Sequence, residues 1–443
     1  MVYTTGPSIA KWVFRFLVFV FLVSGLVQPL AAQQTEQQSD TSAVKQEVKY
    51  KSGYQDVPAF GGPGSVGFDL KEADEQKEPF LRFPQIDEAL KPWFGFKKGI
   101  HDEYGLSYSL DYQTLYQWVN TSPGADDAAS GIFRFYGSWT LLGRGTKNTG
   151  SLVYKAEHRH RLGTQLDPQT LGFTAGSAVP TGTQFNEFGN SSWGVTNLYW
   201  QQRLNDGRLS FVAGKVDPTD YLDVYALINP LTAFMNLAFS TNPTIAAPNQ
   251  GLGAAMGMMV TDKMYVVTGF SDASGDPTDE GFDTFFDEHE YFKHVEIGWT
   301  QSFERRYLDN IHITAWQVDK RKKDRVPEGY GITFSATKAI EDKWIPFFRA
   351  GYADGDASLL QATVSTGVGY YMKEHRDLLG VGVNWGKPSA NDLNDQYTGE
   401  VFYRLQLAQN LAITPDIQLI INPALNPDEN VLVVFGLRGR MTF

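Results

Sequence analysis

Arginine, lysine and glutamate recur at every second position in short stretches, and that spacing sets the chemistry they can do. Arg134 stands between Phe133 and Phe135, Lys155, Glu157 and Arg159 are separated by single residues, and Arg203 and Arg208 flank Asp206-Gly207. Residues two apart on an extended chain share a face. A row of guanidinium, ammonium and carboxylate groups can replace the hydration of a passing solute without holding it tightly. Catalysis asks for other constellations. There is no cysteine, which removes thiolate zinc sites, iron–sulfur clusters and cysteine nucleophiles. No H-E-x-x-H, G-x-S-x-G or G-x-x-x-x-G-K-[ST] occurs among the residues. His158 and His160 share a strand face with Ala156, on the apolar side, and read as interfacial. No enzyme, no cofactor and no metal is expected. The acidic stretch from Asp272 to Glu288 lacks EF-hand spacing.

The elements that must carry these rows are strands. From Leu106 to Trp118, Leu106, Tyr108, Leu110, Tyr112, Thr114, Tyr116 and Trp118 alternate with Ser107, Ser109, Asp111, Gln113, Leu115 and Gln117. That is period two with one oily and one wet face. Sixteen such segments start near residues 106, 131, 151, 192, 208, 251, 264, 291, 310, 329, 344, 359, 377, 396, 411 and 432. Links after even segments are short, as at Asp206-Gly207, whereas residues 163–191, 217–250 and 272–290 follow odd ones. Tight turns on one side, longer loops on the other and an even count describe an outer-membrane barrel. Trp118, Trp139, Trp200, Trp299, Trp344 and Trp385 lie near strand ends, where aromatic girdles sit. The fold class is therefore all-β: a sixteen-stranded antiparallel transmembrane β-barrel with a polar N-terminal extension.

Residues 1–32 read as an export signal, with Lys11 and Arg15 before an apolar run too short to span a bilayer. Residues 33–103 are expected to be a polar periplasmic segment, mobile from 33 to about 81, with a short helix or plug near 86–100. Gly62-Pro63-Gly64-Ser65-Val66-Gly67 matches a dinucleotide fingerprint by letter, but no apolar strand precedes it, so it reads as linker. The barrel takes residues 104–443. With 50 acidic against 38 basic residues and a net charge of −12, no nucleic-acid partner is expected.

Two C-terminal stretches carry a family resemblance. Gln396-Tyr397-Thr398-Gly399-Glu400-Val401-Phe402-Tyr403-Arg404-Leu405, and Leu411 through Pro423, resemble the OprB-type carbohydrate-selective porin family, as do Gly214-Lys215-Val216-Asp217, Gly436-Leu437-Arg438 and the Phe-, Asn- and Pro-rich stretch from Phe234 to Pro248. The resemblance covers roughly residues 93–443. It implies a sixteen-stranded barrel with one pore per monomer in a Gram-negative outer membrane, passing small sugars. Lipid and lipopolysaccharide would surround it, and the last strand, ending in Phe443, resembles the signal read by the barrel-assembly machinery. A symmetric hairpin across residues 143–150 would set Arg134 opposite Arg159 and Ser138 opposite Lys155, and the Asp206-Gly207 turn would pair Leu204 with Leu209 and Arg203 with Ser210. Arg134, Lys155, Glu157, Arg159, Arg203 and Arg208 then form a basic inner wall, whose guanidinium forks could donate to sugar hydroxyls. Residues 217–250 are too apolar for water and should fold into the barrel mouth, making Phe234, Asn236 and Phe239 eyelet candidates. The alternative function is a structural or adhesive barrel with a plugged lumen.

Overall fold

The structure, a computed structural model, describes residues 60–443 apart from 76, 78, 190, 323–324 and 373–376. The expected export signal and the tail to residue 59 lie outside the described residues.

Sixteen strands close an antiparallel barrel. The first eight are β1 (Leu106–Val119), β2 (Asp127–Leu142), β3 (Gly150–Arg161), β4 (Trp193–Leu204), β5 (Leu209–Val216), β6 (Gly251–Met259), β7 (Met264–Asp272) and β8 (Tyr291–Thr300). The second eight are β9 (Asn310–Val318), β10 (Gly329–Thr337), β11 (Trp344–Asp354), β12 (Leu360–Tyr371), β13 (Leu378–Pro388), β14 (Gln396–Ala408), β15 (Leu411–Ile421) and β16 (Val431–Thr442). All but β2 begin within one residue of the expected position; β2 starts at Asp127, ahead of the expected 131. Closure is made between β1 and β16, where Asp111 pairs with Thr442 and Val119 with Val434. Closure leaves no free sheet edge, which is what hydrocarbon requires.

The two faces divide as the alternation demands. On β8 and β9 the outer row, Val295, Ile297, Trp299, Ile311 and Ile313, is exposed, while Glu296, Thr300, His312 and Thr314 point inward and are buried. A continuous exposed belt of this kind needs lipid to cover it. Among the described residues no helix is long and apolar enough to cross a membrane, so crossing falls to the strands. Trp118 and Trp385 stand toward the long-loop end, and Trp139, Trp299 and Trp344 toward the short-turn end.

The β4–β5 turn pairs Leu204 with Leu209 and Arg203 with Ser210, as expected. Asn205, Asp206 and Gly207 all adopt positive φ (53°, 56° and 84°), the backbone that Asn, Asp and Gly tolerate best. The β2–β3 hairpin departs from expectation. The turn sets Leu142 opposite Gly150 and a bulge between Thr140 and Leu142 adds one more residue, so the register differs from the expected one by two: Arg134 faces Glu157, Tyr136 faces Lys155 and Ile132 faces Arg159. An even shift keeps every side chain on its own face, but it removes the like-charge pairing of Arg134 with Arg159.

The N-terminal segment also departs from expectation. Phe60–Asp74 is not a mobile linker: it lies inside the barrel. Helix α1 (Val66–Asp74) buries Val66 and Leu70 completely, in a cluster with Tyr136 and Val153 of the inner wall. The apolar positions 60, 66 and 70 are few, and their partners are far away in sequence, which hides the packing from local composition. Helix α2 (Pro84–Tyr104) follows, longer than the helix expected near 86–100. Its Trp93 meets Tyr108 edge-on on the barrel's outer face, at 5.8 Å. Gly105, at φ 72°, caps α2 and turns the chain into β1.

Candidate functional site

The inner wall is crowded by two inserted pieces. One is the loop of residues 217–250, which folds inward as its apolar content requires. Phe234 and Phe239 are fully buried. They stack on each other at 4.8 Å, and Phe234 packs edge-on against Phe402 of β14 at 4.9 Å and Phe347 of β11 at 5.7 Å. Asn236 caps the short helix α3 (Leu237–Ser240) by accepting from the Ala238 amide, and its Nδ2 donates to Gln418 Oε1 at 2.9 Å. These three eyelet candidates are thus anchors that fasten the loop to the wall. Asp223 is another attachment of the loop. Its carboxylate meets the Arg349 guanidinium and lies 3.0 Å from His312 Nε2, while its amide donates to Glu296 at 2.7 Å. Arg349 Nη1 also donates to the carbonyls of Phe239 and Thr241, at 3.0 and 2.8 Å.

The second piece is the Phe60–Asp74 segment. Arg134 donates through Nε to Asp111 Oδ1 of β1 at 2.8 Å and through Nη1 to Asp69 Oδ2 of α1 at 2.9 Å. Arg440 Nη1 donates to Glu72 Oε2 at 2.7 Å. Burial pushes the Asp69 carboxyl up, against the pull of Arg134 and Arg440. Burial pushes Glu72 the same way, but Arg440, Lys77 and Arg404 outweigh it and hold Glu72 well below the usual carboxylate range. Lys97 of α2 closes the segment's far end on Asp74 at 3.0 Å.

The remaining candidates separate into two groups. Arg159 binds Glu157 (Nε to Oε2, 2.8 Å) and Asn186 Oδ1, and its guanidinium covers the Phe188 ring at 4.4 Å. Lys155 is buried beside them, facing Asp220 and Glu157. So Arg134, Lys155, Glu157 and Arg159 are gathered on one inner surface. Arg203 lies on the same side of β4, half-buried near the turn end. Arg208 sits on the turn rim, paired with Asp262 of the next turn at 2.7 Å. His158 and His160 face outward. Asp69, Asp223, Arg349, Arg404 and Arg440 were not singled out by sequence. For Arg440 the signal was present: Phe435, Leu437 and Met441 form an exposed outer row, which puts Arg438 and Arg440 inward.

A closed barrel with an apolar exterior, a charged interior and an infolded loop defines a porin-type channel. The comparisons agree. The family model "Carbohydrate-selective porin, OprB family" matches residues 143–328 and 306–443. Porin AaxA of Chlamydia pneumoniae is 23% identical over 359 residues, covering 75% of this chain and 78% of that one. Porin AaxA of Chlamydia abortus is 22% identical over 370 residues, covering 77% and 78%. The high-pH structure of Pseudomonas putida OprB superposes with a TM-score of 0.60 at 13% identity, over 79% of this chain and 97% of that one. The chain belongs to the carbohydrate-selective porin, OprB family. Family and fold together place it in a Gram-negative outer membrane as a channel.

Proposed function

We propose that the protein lets small carbohydrates diffuse passively across the outer membrane. The observation that carries this is the inner surface around Arg159, where a guanidinium, the Glu157 carboxylate, the Asn186 amide and the Phe188 ring lie together. Hydroxyls need paired donors and acceptors, and a sugar ring needs an aromatic face. The family description supports the same class of solute. On this reading Lys155 and Arg203 extend the polar path, the 217–250 loop sets its width, and Phe234, Asn236 and Phe239 act by holding that loop in place. The membrane partners are lipid and lipopolysaccharide. Export by residues 1–32 and recognition of the Phe443 strand by the barrel-assembly machinery complete the proposal. Liposome swelling tests it, with mono- and disaccharides run against size-matched polyols and amino acids. Swelling should be fastest with monosaccharides. Equal rates for all solutes of one size would refute selectivity, and no swelling with any solute would favour the structural barrel.

A further inference from the structure

Arg134, Arg404 and Arg440 project from three wall strands toward the same place, and carboxylates of the inserted segment occupy it. Asp69 binds Arg134 at 2.9 Å and stands 3.6 Å from Arg440. Glu72 binds Arg440 at 2.7 Å and stands 3.8 Å from Arg404. Against the three arginines the wall offers Asp111, which pairs with Arg134 and lies 3.6 Å from Arg440. Without the segment this surface would carry a net positive charge. Its donors are not used up even now. Arg440 Nε and Nη2 and Arg404 Nε are buried and have no hydrogen-bond partner among the described residues. The space left between Glu72, Lys77, Arg404 and Arg440 is about 10 Å³, no more than a single water requires.

The segment is also separate from the sheet. The barrel closes through β1 and β16 without it. Between Phe60 and Asp74 its backbone bonds to the rest of the molecule include Gly62 N to Asp220 O (2.7 Å) and Asn229 Nδ2 to Pro63 O (2.8 Å). These fasten it to the infolded loop and leave the strand ladder complete.

We propose that Phe60–Asp74 is a removable plug, and that the arginines beneath it bind small anionic sugars, whose carboxylate or phosphate takes the positions of Asp69 and Glu72. The plug is then an internal mimic of the solute. This rests on the porin reading and narrows its substrate class to sugar acids and sugar phosphates.

The test uses the full chain in planar bilayers, in three forms: wild type, Asp69→Asn with Glu72→Gln, and Phe60→Cys with Gly257→Cys. The last pair is chosen because a Cβ at Gly257 would lie 2.3 Å from Phe60 Cγ, and the chain has no other cysteine. The carboxamide variant should conduct several-fold more than wild type, with a reversal potential shifted toward that of the anion. Glucuronate and glucose 6-phosphate should block its chloride current saturably, and glucose should not. The oxidised cysteine variant should lose conductance and regain it on reduction. If the carboxamide variant matches wild type in conductance and selectivity while wild type still passes glucose in swelling assays, the plug is a fixed part of the barrel and the proposal falls alone. Block by glucose equal to that by glucuronate overturns the anion site. If none of the three conducts, reduced or oxidised, the porin reading falls as well.

Discussion

Replacing Arg349 by methionine should release half of the infolded loop. The side chain is 1% exposed as a residue and reaches three loop positions at once: the Asp223 carboxylate, the Phe239 carbonyl and the Thr241 carbonyl. It also lies over the Tyr225 ring at 4.6 Å. Removing one partner of a buried ion pair costs about 3–5 kcal/mol, because the other charge stays behind. Asp223 would keep His312 at 3.0 Å and Thr333 at 3.3 Å, which softens the loss. The second half of the loop has its own anchors. Glu400 accepts from the amides of Met235 and Asn236 at 2.6 and 3.0 Å, and Phe234 and Phe239 are fully buried. Each such phenylalanine contributes about 1.5–3 kcal/mol, so these anchors together match the local loss and the 233–239 region should stay attached. Arg349→Met should therefore raise conductance and its noise, admit larger sugars, and lower the heat-modifiability midpoint. Adding Asp223→Asn removes the stranded charge and should recover about half of the lost stability while leaving the pore wide. Unchanged conductance and size cutoff in Arg349→Met would show that Arg349 does not hold the loop.

Other outcomes follow from the same geometry. Arg134→Ala with Arg159→Ala should reduce saturable sugar flux, and because Arg134 lies in a buried ion pair with Asp69 and Asp111, it should also lower resistance to unfolding in urea; full stability would contradict the burial. Burial pushes Asp220 up to about 7, with Lys155 and the Asn197 hydrogen bond pulling it down and Asp217 and Asp69 adding to the push. An acid that holds its proton more tightly when folded penalises folding as pH rises from about 4 toward 7. Asp220→Asn should thus be more stable than wild type at pH 8 and similar at pH 4, checked by unfolding midpoints; a variant less stable at pH 8 would reverse the sign. Swapping Arg208 for alanine should alter neither conductance nor selectivity, since its partner Asp262 lies on the turn rim; a shift in reversal potential would put it on the solute path.

The barrel was legible because its signal is local and repeated. Outer rows such as Val295, Ile297 and Trp299 alternate with Glu296 and Thr300, and each strand carries that signal by itself. The inward side of Arg134, Lys155, Glu157 and Arg159 followed from the same alternation. Register did not, because the bulge beside Leu141 is set by the fit of two strands to their neighbours. The plug was illegible for a different reason. Leu70 and Val66 are isolated apolar residues in a polar stretch, and Asp69 and Glu72 look solvated until Arg134 and Arg440, 65 and 368 residues away, are placed beside them. Phe234 and Phe239 were correctly sent into the barrel by their hydrophobicity, but which way they face depends on Phe347 and Phe402.

Both ends of the inserted segment lie toward the short-turn mouth: Phe60 meets Gly257 and Tyr265, and the chain leaves beside Gln406 and Leu407, where Phe80 and Leu81 bond. The sheet closes through β1 and β16 without the segment, so on the plug proposal insertion would be a separate event from closure and repeatable from the short-turn side. Helix α2 (Pro84–Tyr104) joins the segment to β1, so the segment stays covalently tethered beside its site and its local concentration there is high. A free solute competing for the same arginines works against that local concentration. On the plug proposal the mouth would act as a threshold device for anionic solutes: scarce ones would meet the seated segment, and abundant ones would displace it.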